Sequence, residues 1–163
     1  MKRICLIAFL IVTGTVATFA QQKTMVGKWK LSSISTGGMN VNVDNPAETK
    51  KLLADQIKKG TGTEPDSAQV EMMYNMVAPM FSSMTLEFTD KGIAYYTIPS
   101  PAGTPTSDTA SYVADYTKGT FTTTSKEEDG TDKKETSKFS FDGELLVVEN
   151  AEKGEVIKLK RVK

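Results

Sequence analysis

Beyond residue 20 the sequence has no cysteine and no histidine; the lone cysteine is Cys5, and histidine is absent throughout. Disulfides are therefore excluded from residues 21–163, so stability in an oxidising compartment must come from the core alone. Zinc sites built on thiolate or imidazole are excluded too, as are Ser-His and Cys-His nucleophile pairs. Net charge is also lacking. With Lys2 and Arg3 set aside, 18 basic residues face 20 acidic ones and no basic block stands out. Such a chain has no electrostatic footprint for nucleic acid or an anionic membrane surface. No glycine-rich phosphate loop is present, because each glycine falls at a turn or a helix end. Tryptophan occurs once, as Trp29.

What is present begins with a leader pattern. Lys2 and Arg3 form a positive start, Ile4 to Val12 is uninterrupted and apolar, and Thr18-Phe19-Ala20 offers small residues before a cut ahead of Gln21. The pattern predicts a signal peptide over residues 1–20 and no membrane span in the mature protein. Cys5 lies at the start of the apolar run, whereas a lipid-modified cysteine would have to follow it. The product is expected to be exported, periplasmic or secreted, with residues 21–163 forming one domain around a single core.

Lys28-Trp29-Lys30-Leu31-Ser32 alternates, with Trp29 and Leu31 on one face and lysines on the other, as a half-buried strand does. After Gly37-Gly38 the period changes. Asn45-Pro46-Ala47-Glu48 reads as an N-cap, a first-turn proline and a capping-box glutamate, predicting a helix over about 46–59 that ends at Gly60. Val70, Met73, Val77, Met80/Phe81 and Met84 recur at helical steps, predicting a second helix over about 66–81 that ends or kinks at Pro79. From Met84 the period drops to two. Strand pairs then follow around Asp90-Lys91-Gly92, Lys118-Gly119, Asp129-Gly130, Asp142-Gly143 and Lys153-Gly154, with PSPAGTPTSD at 99–108 as a loop. The expected fold class is mainly β: an eight-stranded antiparallel up-and-down barrel with a two-helix insertion, about 46–81, between strands 1 and 2. An open β-sandwich is the structural competitor. A membrane barrel needs an outward apolar band, and here Lys28, Lys30, Glu87, Lys158 and Lys160 take the outward positions.

Gly27-Lys28-Trp29-Lys30-Leu31 at the start of a first strand resembles the G-x-W signature of the lipocalins. It is also similar to the G-x-W-K-L opening of the intracellular fatty-acid-binding proteins, whose helix pair follows the first strand and lids the barrel. The plan as a whole most resembles the secreted lipocalin-like family of Bacteroidetes. The resemblance implies that Gly27 and Trp29 belong to the closed floor of the barrel, with Arg161 stacked on the indole. Strand parity agrees, because an inward Ile157/Leu159 face carries Arg161 inward as well. The alternative is an ordinary core tryptophan beside a frayed terminal arginine. The R-x-Y ending that holds a carboxylate in fatty-acid-binding proteins is incomplete here, since the chain ends Arg161-Val162-Lys163.

A cup of this kind implies a chamber lined by Phe88, Tyr95 (or its neighbour Tyr96), Tyr112, Tyr116, Phe139, Phe141 and Met73, holding a small hydrophobic or amphipathic molecule. The same aromatics serve equally as packing in a side-chain-filled barrel, which leaves a non-catalytic interaction or structural module of the envelope as the rival reading. Met72, Met73, Met76, Met80 and Met84 sit at helical spacings. Thioethers at such spacings either fill gaps in a core or bind copper(I); gap filling is the expectation, with Met72 and Met76 off the centre of the stripe. No metal or cofactor is assigned. Glu87, Asp115 and the Glu127-Glu128-Asp129 hairpin tip show no spacing that couples two acids, so no enzyme activity is expected. Asp66-Ser67-Ala68 and Asp108-Thr109-Ala110 match a short pattern O-glycosylated in exported Bacteroidetes proteins, which marks Ser67 and Thr109 as candidate modification sites. Nothing in the sequence indicates an oligomeric state.

Overall fold

The structure, a computed structural model, describes residues 24–98, 105–127 and 129–163. The leader expected over residues 1–20, with its expected cut ahead of Gln21, lies outside those residues. Eight antiparallel strands close into a barrel: β1 (Gly27–Thr36), β3 (Thr85–Phe88), β4 (Ile93–Ile98), β5 (Thr106–Asp115), β6 (Thr120–Lys126), β7 (Asp132–Asp142), β8 (Leu145–Asn150) and β9 (Glu155–Arg161). Each pairs with the next, and β1 pairs with β9 to complete the ring. Closure removes the exposed edges that a sandwich would keep. Between β1 and β3 come β2 (Met39–Asn42), α1 (Pro46–Thr61) and α2 (Ser67–Ser82).

The helix pair thus follows a second strand rather than the first. Gly37 and Gly38 both adopt positive φ, and the chain doubles back so that Met39–Asn42 pairs with Ser33–Thr36. One edge of β1 is consequently shared, by β3 over Gly27–Lys30 and by β2 over Ser33–Thr36. Ser32 is the pivot. It is the extra residue of a bulge against β9, and it is buried with its hydroxyl donating to Asp44 at 2.7 Å. The bulge also shifts the inward set, which runs Trp29, Leu31, then Ile34.

Other boundaries move for local reasons. α1 continues through Gly60 and stops at Gly62, whose left-handed backbone lets its N–H reach the Lys58 carbonyl. The expected Asn45–Glu48 capping box does not form. Glu48 instead accepts from the side-chain amides of Asn42 and Asn45 at 2.9 and 2.7 Å. α2 does carry a capping box, between Asp66 and Gln69, and it runs through Pro79 to Ser82. Thr106–Asp108, expected in a loop, extends β5 by pairing with Ile98, Thr97 and Tyr96.

The core is a single cluster inside the ring, with Trp29, Phe88, Met25 and Leu146 fully enclosed. Of the polar residues expected outward, Lys28, Lys30, Glu87 and Lys160 are exposed and Lys158 is half-buried. Among the described residues no helix is long and apolar enough to cross a membrane. Leu146→Ala is expected to lower stability by about 2–5 kcal/mol in urea unfolding, because it opens a cavity in the enclosed face. Val113→Ala, on the neighbouring hairpin but 76% exposed, is expected to stay within about 0.5 kcal/mol of the parent. Equal losses would contradict the inward and outward assignment.

Candidate functional site: a divided barrel interior

The two ends of the barrel differ. At one end lie the β3–β4, β5–β6 and β7–β8 turns together with the start of β1, and this end is shut. Residues 24–26 cross beneath the ring, and Met25 is wholly buried. Trp29 Nε1 donates to the Met25 carbonyl at 2.7 Å. Arg161 lies over the indole, 4.3 Å from the ring centroid, and donates to the carbonyls of Val26 and Thr24 at 2.8 and 2.6 Å. Gly27 makes that approach feasible: its φ is +130°, and a Cβ there would stand 2.6 Å from Arg161 Nη1. The floor role inferred for Gly27, Trp29 and Arg161 describes this arrangement. An open groove of about 790 Å³ lies outside the floor, walled on its inner side by Trp29 and Phe141.

Above the floor the barrel is filled by rings in contact. Trp29 meets Phe141 at 6.4 Å, Phe141 meets Phe139 at 6.0 Å, and Phe139 meets Phe121 at 6.2 Å. Phe121 meets Phe88 edge-on at 5.7 Å, and Phe88 meets Tyr112 at 4.9 Å. Tyr112 donates its hydroxyl to the Thr89 carbonyl at 2.7 Å, and burial pushes the phenol's pKa up. Tyr116 meets Phe139 edge-on at 5.3 Å while its hydroxyl accepts from the Met25 N–H at 3.1 Å, which ties the floor segment in place.

Beyond Phe121 the packing stops. The upper half holds an open-mouthed cavity of about 350 Å³, within the range of small-molecule chambers, ~300–1,000 Å³. Its lower wall is apolar, formed by Leu31, Leu86, Val148, Ile157 and Leu159; its upper wall carries Tyr96, Thr123, Glu135, Asn150 and Lys153. The Lys153 ammonium donates to both Glu135 oxygens at 2.9 and 3.0 Å, and Lys133 stands at 3.4 Å. The hydrogen bond from Lys153 leads the causes that hold the Glu135 carboxyl below its ordinary pKa, against the opposing pull of burial. Burial, then the negative charges of Glu135 and Asp108, push the Tyr96 phenol up, so it stays a neutral hydroxyl.

Of the sequence candidates, only Tyr96, given as the alternative to Tyr95, lines this cavity. Phe88, Tyr112, Phe139 and Phe141 belong to the ring stack below it, and Tyr116 belongs to the floor. Tyr95 pairs across the sheet with Glu87 and is 42% exposed, whereas Tyr96 pairs with Leu86 and points inside. Met73 lies on the outer side of α2. No residue of α1 or α2 lines the cavity among the described residues; the helices pack on each other, on β2 and on the upper part of β1. Glu135, Ser137 and Lys153 were passed over in the sequence. The signal for the first two was parity, since Glu135 and Ser137 share it with Phe139 and Phe141. Ser67 and Thr109 are both exposed.

Arg161→Ala is expected to cost about 1–3 kcal/mol in urea unfolding, from two charged hydrogen bonds and a stacked guanidinium. Arg161→Lys should restore only part, because one ammonium cannot reach both carbonyls and cover the ring. Gly27→Ala should cost less when Arg161 is already alanine, a coupling visible in a double-mutant cycle; strict additivity would mean that the close approach is not real. At the mouth, the depressed carboxyl of Glu135 contributes stability above the ordinary carboxylate pKa and loses it as pH falls through the folded value. Glu135→Gln should therefore reduce stability at neutral pH by about 0.2–1 kcal/mol, given the solvent exposure of Lys153, with the difference closing on acidification. A gap independent of pH would point to packing instead.

No protein-family model and no curated protein matches the chain. Solved structures do resemble it. A lipocalin-like protein from Bacteroides uniformis superposes with a TM-score of 0.50 at 14% identity, over 84% of this chain and 97% of that one. A DUF4847 family protein from Bacteroides vulgatus gives 0.50 at 12% identity, over 84% and 93%. At that identity the likeness is one of fold, and the fold is the lipocalin-like β-barrel.

Proposed function

We propose that this protein is an exported, non-catalytic carrier or receptor that holds a small amphipathic molecule in the upper half of the barrel. The observation that supports this reading most directly is the cavity, apolar beneath and polar above. A ligand's hydrocarbon part would rest on Leu31, Val148 and Ile157 above Phe121, and its polar end would meet Tyr96, Thr123 and the Glu135–Lys153 pair. Export rests on the leader pattern of residues 1–20. Binding without catalysis rests on the lack of histidine and cysteine after residue 20 and of coupled acids in the sequence. The second reading, a structural or interaction module with a filled barrel, draws on the ring stack that occupies the lower half.

The test is a titration with the fluorescent apolar anion 1-anilinonaphthalene-8-sulfonate, run beside native mass spectrometry of protein purified from its own host. Ile157→Trp, which fills the chamber and leaves the floor untouched, should lose the saturable fluorescence rise and any co-purified mass while its circular dichroism stays unchanged. Equal dye binding by parent and variant would place binding outside the barrel and favour the second reading.

A further inference from the structure

α2 breaks the usual rule for an apolar helix on a globular domain: none of its residues is buried. Its partly covered side carries Val70, Tyr74, Val77, Ala78 and Phe81. Its open side is sulfur. Met72 is 67% exposed, Met76 66% and Met73 37%. With about 100° of rotation and 1.5 Å of rise per residue, positions 72, 76 and 73 fall within an arc of roughly 100° and about 6 Å of axis; Met80 continues the same ridge one turn on. Gap filling, the ordinary use of methionine, accounts for Met84, which packs on the core, but not for three methionines left exposed on one helix face.

The surrounding donors are equally selective. Glu71 is the only carboxylate of the helix, lies about 150° around from the centre of the ridge, and is paired with Lys50 at 2.6 Å. Lys50 also covers the Tyr74 ring at 4.8 Å, on that same side. The ridge therefore offers thioether sulfur and the Gln69 amide, with no carboxylate, imidazole or thiolate. Hard cations and zinc gain little from such a set, whereas soft monovalent d¹⁰ ions prefer it. We propose that Met72, Met73 and Met76 form a surface site for such an ion, copper(I) or silver(I), through a trigonal set of three thioethers. Each side chain has three rotatable bonds, so the sulfurs converge by rotamer change with the helix backbone unmoved. The capping box at Asp66 and Gln69 secures the first turn of that helix just before the ridge.

The experiment is anaerobic competition for copper(I) against bicinchoninate, with the metal kept reduced by ascorbate, using protein from which the leader has been cleaved. Parent protein and Met39→Leu, which removes an exposed methionine on β2, should each withdraw one equivalent of metal from the chelator. The Met72→Leu/Met73→Leu/Met76→Leu variant keeps an apolar, helix-forming surface and should withdraw none, with circular dichroism unchanged. X-ray absorption of the loaded parent should show a sulfur-dominated shell. A parent that leaves the metal with the chelator, a triple variant that competes as well as the parent, or a nitrogen- and oxygen-dominated shell would overturn the site. A ridge used instead as an apolar docking face would give the first of these results, because leucine preserves such a face and the thioethers would have no affinity to lose.

Discussion

The closed floor is the constraint on which the rest depends. Arg161 is the last residue of β9, and it reaches across the indole of β1 to carbonyls in the segment that precedes β1. One side chain thereby joins the first strand, the last strand and the entering chain. The Trp29–Arg161 register makes the two strand ends neighbours, and the missing Cβ of Gly27 leaves room for the guanidinium over the indole. An eight-stranded sheet without this junction has two free edges, each a row of unpaired backbone groups. The lysines flanking Trp29 are the solvent side of that strand, and they keep the ring's neighbourhood from becoming an exposed apolar patch.

From the floor upward the interior changes from packing to space along a gradient that strand position sets. The large inward residues stand close to the floor-side turns: Phe88 before the β3–β4 turn, Phe121 after the β5–β6 turn, Phe139 and Phe141 before the β7–β8 turn. The same strands carry Leu86, Thr123, Ser137 and Glu135 at their far ends, which are too small or too polar to fill the ring. A barrel of eight strands is just wide enough for side chains to fill or for one small ligand to occupy. This one does the first below Phe121 and leaves room for the second above it.

Parity and turn chemistry were legible in the sequence, and so was the closed barrel they imply. Trp29, Ile157, Leu159 and Arg161 share their face as alternation required, and a glycine with positive φ stands at the floor turns, as at Gly92 and Gly119. The bulge at Ser32 was not legible, because a one-residue slip shows only when β9 is laid beside β1. β2 was missed for a related reason: four residues after Gly37-Gly38 carry too little alternation to announce a strand, and pairing with β1 is what makes them one. The chamber was misplaced because alternation tells which residues point inward but not at what height. Height needs counting from the turns, and that count sends the aromatics to the floor and leaves Tyr96, Glu135 and Lys153 at the mouth. The helices follow β2 rather than β1, packing on β2, on each other and on β1, with Phe81 of α2 set against the core.

The floor has a topological consequence. Thr24 and Val162 both border the same surface at the shut end, with Val162 donating to the Lys28 carbonyl and Thr24 accepting from Arg161. The first and last described segments of the barrel thus meet on one face, an arrangement that suits circular permutation of residues 24–163 taken as a unit. A short linker across the base, with new ends opened at the Ala151–Gly154 hairpin of the rim, would leave every strand pairing in place. The rim would then carry the termini and the base a covalent loop, and a fusion partner could be attached on whichever side of the barrel is wanted.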